Sequence, residues 1–550
     1  MSNFLSSNPN DLARTLVDEK RAIEEREAQG RAKSLGMEYV NLQNFPLDLT
    51  ALGVFTEEDA RSTEAVPFFK ERHDIRIGTN NPDNPHLKVK IQELKDSKVK
   101  WNPTLYFISE SSYVSTMRFY SKVVRPTSKF QDQIAFGEPL SLEALQESID
   151  ATMVTASEIL NNIFATAVGL NSSDIHLEGE EHMVKVRFRI DGVLHDAAKL
   201  PKNVQATVIS RIKLLAKLKL NIENVSQDGR FTVMHGQEPI DIRVSVLPSN
   251  YGEAIVMRLL GVGAVNLNVK DLGLTGKSSE IVSEQLSKPN GMILTTGPTG
   301  SGKTTTLYAF LRELNDSTVK IITLEDPVEY KVEGIQQTPI DHRVDFNFAK
   351  GLRAVLRQDP DVVMIGEIRD PETAETALQA ALTGHVVLST LHTNDAAGAV
   401  PRLVTMGVKP FTIAPALNAI IAQRLVRRLC THCIQPVELQ APLLEKVEKV
   451  LSELPENCGV VVPRTAEGKL QFYHAEGCKE CDNLGYKGRI GVYEVIEVND
   501  TLREIILKDG STLDIKRAAH ENGTMTMLQD GLLKALAKTT DVEEVYRVVG

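Results

Sequence analysis

A glycine-rich loop constrains this chain more than any other part of its sequence. The loop, Gly297-Pro298-Thr299-Gly300-Ser301-Gly302-Lys303-Thr304, follows the apolar run Met292–Thr296 and precedes a helix-compatible stretch that begins at Thr305. Glycines let backbone N–H groups point inward at phosphates, and the N-terminus of the next helix adds a partial positive charge. A strand, such a loop and a helix in this order predict a site for a nucleoside triphosphate.

Two side chains of the loop have expected roles of their own. Lys303 would reach the β- and γ-phosphates, and the Thr304 hydroxyl would ligate Mg²⁺. The predicted nucleotide contacts therefore run from Gly297 to Thr305, with ATP and Mg²⁺ as the expected cofactors. An ordinary glycine-rich turn is the alternative, but it does not account for the flanking strand and helix.

The composition suits a soluble globular protein of several domains. The chain has 550 residues, of which 42% are hydrophobic and 25% charged, and domains of about 100 to 200 residues predict roughly three to four of them. The net charge of −11 does not indicate binding to nucleic acid, although a local basic patch is compatible with it. The polar start, Met1–Asn10, and the absence of a long apolar run predict a cytoplasmic chain that meets membranes through partners.

Four of the five cysteines form two C-x-x-C doublets. The doublets are Cys430 with Cys433 and Cys478 with Cys481, and four thiolates are the usual ligands of a closed structural zinc site. The long gap between the doublets predicts an inserted subdomain at about 430–481. Iron could occupy the same ligands, and four buried or redox-active thiols are the other alternative. No role is predicted for Cys458.

The rest of the sequence divides into modules joined by polar stretches. Residues 1–32 predict a helix or solvated arm, and residues 33–124 mix short strands and helices in a small α/β domain. A middle domain at 141–262 begins with helical periodicity and continues as alternating strands that turn at Asp191-Gly192. From 278 to 550, apolar strands alternate with helical segments, which predicts a largely parallel sheet.

One basic segment of the middle domain has the spacing of an amphipathic helix. This segment, Ile209–Leu220, carries four cations, Arg211, Lys213, Lys217 and Lys219. We expect these cations to form a solvated face of the helix, because charged runs of this kind usually face water.

Three more strand-like runs are bounded by polar residues. In chain order they are Ile321–Leu324 before Glu325-Asp326-Pro327-Val328-Glu329, Val362–Ile365 before Gly366-Glu367, and Val386–Thr390 between His385 and His392. Carboxyl ends of parallel strands meet at one edge of a sheet, so these groups can gather beside the phosphate loop. Hydrolysis needs a group that orients water, and Glu367 is the candidate. Gly366 stands where many ATPases carry an aspartate.

Together these motifs resemble the hexameric secretion ATPases that assemble type IV pili and drive type II secretion, the GspE/PilB branch. The resemblance covers about Leu35 to the C-terminus and is strongest from Asp174 to Gly491. Besides the loop, the matching segments are Ile322–Tyr330, Arg357–Asp370, Thr383–Asn394, Ser173–His176, Arg187–Gly192, Gln227–Phe231, Arg243–Ser245 and Gly252–Arg258. It implies a RecA-like P-loop motor domain, a preceding α+β (PAS-like) middle domain, a small N-terminal α/β domain and a tetracysteine zinc insert.

The resemblance also implies a role for each polar residue around the loop. Glu367 would be the catalytic carboxylate, while Glu325 and Glu329 would position water and metal. His385 and His392 would sense the γ-phosphate.

Three arginines of the middle domain resemble those that reach across the domain cleft to the nucleotide. They are Arg230, Arg243 and Arg258. Such arginines contribute on the order of a thousandfold to turnover in related systems. The alternative for each is a surface salt bridge.

The resemblance further implies partners and a location. A homo-hexamer would act on an inner-membrane platform protein together with a cytoplasmic docking subunit, so the chain would be membrane-peripheral. Residues 33–124 resemble the docking domain of these ATPases, and the tetracysteine insert is typical of the assembly and secretion branch. The N-terminal cyclic-di-GMP motif of some members is not found, so such control is not expected.

Two other functions compete with this interpretation. A nucleic-acid-translocating motor shares the loop, but the acidic net charge and the lack of an aromatic and basic strand-binding groove disfavour it. A nucleotide-gated scaffold without catalysis would not need Glu367 and both histidines. Pilus assembly and type II secretion use the same chemistry, and the sequence does not separate them.

Overall fold

The computed structural model describes most of the chain. The described residues are 23–42, 47, 49–71, 74–97, 100–122, 140–150, 155–235, 238–260 and 267–550. The first part of the predicted arm, the whole polar linker at 125–139, and residues 261–266 of the stretch before the last domain lie outside them. Within this described part, no helix is long and apolar enough to cross a bilayer.

A four-stranded sheet organises the N-terminal part. Its elements are α1 (23–34), β1 (Glu38–Tyr39), α2 (Leu49–Leu52), α3 (Glu57–Thr63), β2 (Ala65–Glu71), β3 (Asp74–Thr79), α4 (Pro85–Asp96), β4 (Asn102–Phe107) and α5 (Glu110–Met117). The strand order is β1-β4-β3-β2. The Glu24 carboxylate of α1 accepts a hydrogen bond from the Ser111 N–H at the start of α5, at 2.8 Å. The described part of the predicted arm is therefore a helix that docks through one face and is otherwise exposed.

The middle part is an antiparallel sheet of six strands covered by helices on one face. Its elements are α6 (Leu142–Asp150), α7 (Ala156–Gly169), β5 (Asp174–Gly179), β6 (Met183–Ile190), β7 (Val193–Pro201), α8 (Gln205–Leu215), β8 (Gln227–His235), β9 (Glu238–Ser249) and β10 (Gly252–Leu260). The strand order is β7-β6-β5-β10-β9-β8. Alternate residues such as Ile175, Phe188 and Met257 pack with Phe164 of α7 in one core. The opposite face is left for polar side chains.

The bounds predicted for the basic helix of this part, 209–220, are wrong at both ends. Helix α8 starts before Ile209 and ends at Leu215, and Lys217 has a φ of 57°, outside the helical region. Lys213 is buried, not solvated, because its Nζ lies 2.5 Å from the carboxylate of Glu253 and donates to the carbonyl of Ile222. Sequence periodicity cannot show that a carboxylate from the start of β10 reaches this ammonium.

The C-terminal part contains a seven-stranded sheet. Its helices are α9 (Gly276–Ser287), α10 (Lys303–Leu314), α11 (Phe348–Val355), α12 (Pro371–Leu382), α13 (Ala399–Thr405), α14 (Pro410–Ala416), α15 (Ala441–Ser452), α16 (Asp500–Leu507), α17 (Thr512–Glu521), α18 (Met527–Leu536) and α19 (Val542–Val549). Its strands are β11 (Gly291–Thr296), β12 (Ile321–Glu325), β13 (Gln336–Pro339), β14 (Val362–Ile365), β15 (Val386–Leu391), β16 (Leu417–Leu429), β17 (Ile434–Val437), β18 (Phe472–Ala475) and β19 (Tyr486–Glu497).

The order of the large sheet decides which residues share an edge. It is β13-β12-β14-β15-β11-β16-β19, with parallel pairing throughout except at β19. The sequence-based expectation of a largely parallel sheet is confirmed. Strands β11, β12, β14 and β15 are buried along their whole length, which explains their uninterrupted apolar runs. Strands β17 and β18 form a separate two-stranded sheet between the cysteine doublets.

Candidate functional site

The loop after β11 has the backbone shape that phosphate binding requires. Gly297, Gly300 and Gly302 have positive φ angles of 150°, 79° and 88°, which residues with a Cβ rarely adopt. A Cβ at Gly297 would also lie 2.6 Å from the carbonyl oxygen of Gln423. Helix α10 starts at Lys303, so its unpaired N–H groups and the positive end of its dipole face the loop.

Lys303 is held inside this loop. Its Nζ donates to the carbonyl oxygens of Gly297 at 2.8 Å and Pro298 at 3.1 Å. Burial lowers the pKa of Lys303, and the nearby Glu367 carboxylate opposes that effect. Phosphate oxygens make stronger charge-assisted hydrogen bonds than carbonyls, so a bound phosphate can displace these contacts. Thr304, the next residue, is exposed and open to a ligand.

Glu367 and His392 meet at the same edge of the sheet. They follow β14 and β15, and the Nε2 of His392 lies 3.2 Å from a carboxylate oxygen of Glu367. The other oxygen of Glu367 accepts a hydrogen bond from the guanidinium of Arg369, and this bond raises the pKa of Arg369. The Glu367 side chain is 18% exposed, so it is held in place but remains accessible.

His385 does not belong to this group. Strands β11 and β15 pair in parallel, with Gly291 beside Val386 and Thr296 beside Leu391, and His385 precedes β15 whereas the loop follows β11. The six residues of β15 separate the two edges, a span of roughly 20 Å. The Nδ1 of His385 instead lies 3.0 Å from the Ala380 carbonyl. In this chain His385 therefore lies at the sheet edge opposite Glu367 and His392, because residues that flank a strand lie at its opposite ends.

Glu325 is at the correct edge but is enclosed by protein groups. Its carboxylate accepts hydrogen bonds from Thr323 at 2.7 Å, Gln337 at 3.1 Å and the Tyr308 hydroxyl. The residue is 3% exposed, and β12 is separated from β11 by two strands. Tyr308 belongs to α10, so this carboxylate connects the helix of the phosphate loop to the neighbouring acidic segment.

The three predicted arginines of the middle domain lie side by side. Arg230 of β8 pairs with Arg243 of β9, and Arg243 pairs with Arg258 of β10. Register partners project from the same face of a sheet, so the three form one row on the face opposite the core. At one end of the row, Arg258 donates to Asp174 at 3.0 Å.

This row contacts the acidic segment of the large sheet through one residue. The guanidinium of Arg243 lies 3.6 Å from the carboxylate of Glu329, and both side chains are partly exposed. Glu329 is thus oriented toward the middle domain. A second contact between the same two parts joins Asp191, at the β6–β7 turn, to the N–H of Gly488 at 2.7 Å.

Sequence reasoning missed two residues of β16 beside the phosphate loop. Gln423 is fully buried and donates to the carbonyl of Ser301 at 2.7 Å. The Arg424 guanidinium donates to the carbonyl of Asn394, just after His392, at 3.2 Å. Their only signal in the sequence is that two adjacent polar residues interrupt the apolar part of β16. No sequence motif marks them.

The two cysteine doublets form one cluster. Cys430 and Cys433 follow β16, Cys478 and Cys481 precede β19, and their Sγ atoms all lie within 4.8 Å of one another. The Cys430–Cys478 and Cys433–Cys481 separations are both 3.9 Å. A tetrahedral ion with bonds of about 2.3 Å to sulfur requires roughly 3.8 Å between ligands. The N–H groups of Cys478 and Gly485 donate to the Cys481 Sγ, as expected beside a metal-bound thiolate. These residues fit a four-thiolate metal site.

Comparison with known proteins identifies the family. The model of a family described as type II/IV secretion system protein matches residues 150–547. The chain belongs to this family. The type II secretion system protein E of Pseudomonas aeruginosa is 45% identical over 410 residues, which cover 74% of this chain and 78% of that protein. The type IV pilus assembly ATPase PilB of Myxococcus xanthus is 37% identical over 522 residues, covering 94% of this chain and 89% of that protein.

Solved structures agree with the fold. The ATPase DotB of Legionella pneumophila superposes with a TM-score of 0.51 at 21% identity, covering 72% of this chain and 96% of that chain. Such a likeness concerns the fold alone. Together with the family match, it confirms the sequence-based prediction of a RecA-like α/β protein of the secretion and pilus-assembly ATPases.

Proposed function

We propose that this protein is a Mg²⁺-dependent, hexameric ATPase that powers assembly of type IV pilus or type II secretion pseudopilus filaments. It would act at the inner face of the cytoplasmic membrane, through a platform protein and a cytoplasmic docking subunit. The observation that carries the proposal is the position of Glu367, supported by His392, at the same sheet edge as a complete phosphate loop. The names of the relatives, type II secretion system protein E and type IV pilus assembly ATPase PilB, support the assignment.

In this proposal the loop from Gly297 to Thr305 binds the phosphates of ATP. The N–H groups at the start of α10 point at the phosphate oxygens, and Lys303 exchanges its carbonyl partners for them. Thr304 would hold Mg²⁺, which supplies charge neutralisation at the phosphates. Gln423 donates a hydrogen bond to the Ser301 carbonyl and so stabilises the conformation of the loop before nucleotide binds.

Glu367 would orient the attacking water and accept its proton. Its two oxygens are held by different partners, His392 on one side and Arg369 on the other, so the carboxylate has a fixed direction. A fixed acceptor lowers the barrier because no reorganisation is needed during the reaction. His392 is half-exposed and can contact the γ-phosphate as well as Glu367.

The arginine row would supply positive charge from the middle domain. Arg243 is paired with Glu329, and both groups are accessible, so a γ-phosphate in the cleft can compete with Glu329 for the guanidinium. Arg230 and Arg258 lie beside it and would follow the same motion. Closing the cleft on ATP and reopening it after phosphate release would move the middle domain against the large sheet.

Two of the predicted groups have structural roles in this proposal. Glu325 stabilises the acidic segment through Thr323, Gln337 and Tyr308 and leaves water and metal to other groups. The four cysteines would hold Zn²⁺, which would cross-link the insert in addition to the apolar cluster that it shares with α18 and α19.

The test is steady-state ATP hydrolysis over a range of protein concentrations, with and without Mg²⁺. Activity per chain should rise with concentration as the ring assembles and should disappear in Glu367→Gln. Glu375→Gln is a matched control, because this glutamate is exposed on α12. Hydrolysis that is absent, or unchanged in Glu367→Gln, would contradict the proposal. Stimulation by DNA that falls steeply with salt would instead favour a nucleic-acid motor.

A further inference from the structure

The segment that follows β15 crosses the large sheet and is attached to three other strands. Leu391, Thr296, Ala422 and Glu494 are register partners in the neighbouring strands β15, β11, β16 and β19. Residues 392–397 continue from the end of β15 over this row. Their contacts with the row therefore decide where His392, the first residue of the segment, is held.

The near end of the segment is attached to the strand that carries the phosphate loop. Thr393 donates its N–H to the hydroxyl of Thr296 at 2.9 Å, and the two hydroxyl oxygens are 2.6 Å apart. Thr296 is fully buried and immediately precedes Gly297. Because Thr393 follows His392 directly, these bonds to Thr296 limit how far the His392 backbone can move away from the end of β11.

The far end is attached by a buried carboxylate. Glu494 of β19 is 9% exposed, and it accepts a hydrogen bond at 2.9 Å from the N–H of Ala396, which has no exposed surface. Between the two ends, Arg424 of β16 donates to the Asn394 carbonyl. Each of the three strands thus supplies at least one contact to the segment.

The charges around Glu494 come from two elements. Asp395 belongs to the segment itself, and it pairs at 2.6 Å with Lys516 of α17. Burial raises the pKa of Glu494, while the N–H of Ala396 and the charge of Lys516 act in the opposite direction. No part of the nucleotide mechanism described above uses this carboxyl group, and burying it is costly unless it is hydrogen-bonded, as it is to the N–H of Ala396.

We propose that Glu494 is a positioning residue for ATP hydrolysis, which holds His392 against Glu367 by fixing the far end of the 392–397 segment. This inference rests on the proposed ATPase function. Without the carboxylate the Ala396 N–H loses its acceptor in a buried site, and the segment can shift on the sheet. A displacement of about 1 Å at a catalytic group can reduce turnover on the order of a hundredfold.

Two variants of Glu494 and one control test the proposal. Glu494→Leu removes the acceptor, whereas Glu494→Gln keeps an oxygen that can accept from Ala396. Glu497→Leu is the control, since this carboxylate lies on the same strand but contacts Gln285 and Asn522. The measurements are kcat and KM, affinity for a non-hydrolysable ATP analogue, and hydrogen exchange of the 392–397 amides.

Glu494→Leu should lower kcat about tenfold or more and speed exchange at 396–397, with analogue affinity within about threefold of wild type. Glu494→Gln should restore most of the lost turnover. In a His392→Ala background, Glu494→Leu should have little further effect on kcat, because both changes disable the same contact.

Equal losses of kcat in the wild-type and His392→Ala backgrounds would overturn the proposal, as would unchanged exchange at 396–397. A wild-type protein that does not hydrolyse ATP would instead contradict the proposed function. The exchange measurement would then still report whether Glu494 holds the segment.

Discussion

The guanidinium of Arg243, in the middle sheet, lies 3.6 Å from the carboxylate of Glu329, in the acidic segment after β12. This pair joins the row of arginines to the edge of the sheet that carries the phosphate loop. Exposed ion pairs of this kind contribute only about 0–1 kcal/mol to stability. The pair is therefore better suited to exchange partners than to hold the two parts together.

Arg243→Ala should consequently reduce turnover far more than stability. We expect kcat to fall on the order of a thousandfold, because positive charge is lost at the transition state, while the melting temperature changes by less than about 2 °C. Glu329→Gln should affect turnover less, since the arginine remains. A large loss of stability in Arg243→Ala with normal kcat would show that this arginine has only a structural role.

The two histidines that flank β15 provide a matched pair of variants. His392→Ala should lower kcat strongly, because it removes the partner of Glu367. His385→Ala should leave kcat close to wild type, because this ring lies at the other edge and contacts the Ala380 carbonyl. ATPase assays of both variants at saturating ATP make the comparison. Equal losses in the two variants would place His385 back in the reaction.

Removing the metal proposed for the four cysteines should loosen the insert and leave nucleotide binding intact. The four cysteines lie between β16 and β19, and the loop itself is held by Gln423 and Ser301. Chelation, or Cys478→Ser with Cys481→Ser, should increase proteolysis within 430–485 and lower the melting temperature. Affinity for an ATP analogue should remain within a few fold. Chelated protein with unchanged proteolysis and assembly activity would contradict a structural metal.

The C-terminal helix should lose stability in acid. Glu544 of α19 accepts hydrogen bonds from Arg427 at 2.9 Å and Arg547 at 2.7 Å. Burial alone would raise its pKa, but the bonds from Arg547 and Arg427 outweigh burial and lower the pKa from an ordinary 4.5 to about 2. Because the folded-state pKa is the lower one, this stabilisation is complete above about pH 4.5 and is lost as the pH falls toward 2.

Glu544→Gln checks the sign of this effect. At pH 7 the variant should lose about 1–3 kcal/mol of unfolding free energy, measured by urea denaturation. The difference from wild type should shrink as the pH is lowered below about 4.5. Glu543→Gln, on the exposed side of the same helix, should behave like wild type throughout. A difference that does not depend on pH would contradict the lowered pKa.

The buried pair Lys213–Glu253 should show the cost of an unpaired charge. Lys213→Met leaves the Glu253 carboxylate buried without its cation, which should cost about 3–5 kcal/mol. The double variant Lys213→Met/Glu253→Leu should recover most of that loss. Denaturant unfolding of the two variants measures the difference. A double variant no more stable than the single one would mean that packing, and not charge, dominates this site.

Local patterns in the sequence predicted most of the elements around the site. The buried strands before and beside the phosphate loop were predicted because each is a short apolar run that ends in polar residues. The loop was recognised because only glycine tolerates its backbone angles at positions such as Gly297. The cysteine doublets were recognised from the type of ligand and the C-x-x-C spacing alone. In each case the pattern that was recognised spans only a few residues along the chain, although the two cysteine doublets themselves are 48 residues apart.

Predictions that required a distant partner were the ones that failed or were missed. Lys213 had the spacing of a solvated face, and Glu253, which neutralises it, is remote in the sequence. Glu325 lies in the acidic segment, but Tyr308 and Gln337 enclose its carboxylate. Glu494 had no motif, since its partner Ala396 is reached only through the order of the strands.

The sequence by itself determined the chemistry available to this protein: a phosphate loop, a strand-end glutamate and four thiolates. Tertiary structure alone decided which of these groups meet. His385 and His392 flank the same strand, yet only His392 reaches Glu367, because parallel strands bring their carboxyl ends to one edge and their amino ends to the other. Backbone angles and periodicity depend on neighbours in the chain, whereas the sharing of an edge depends on how the whole sheet is ordered.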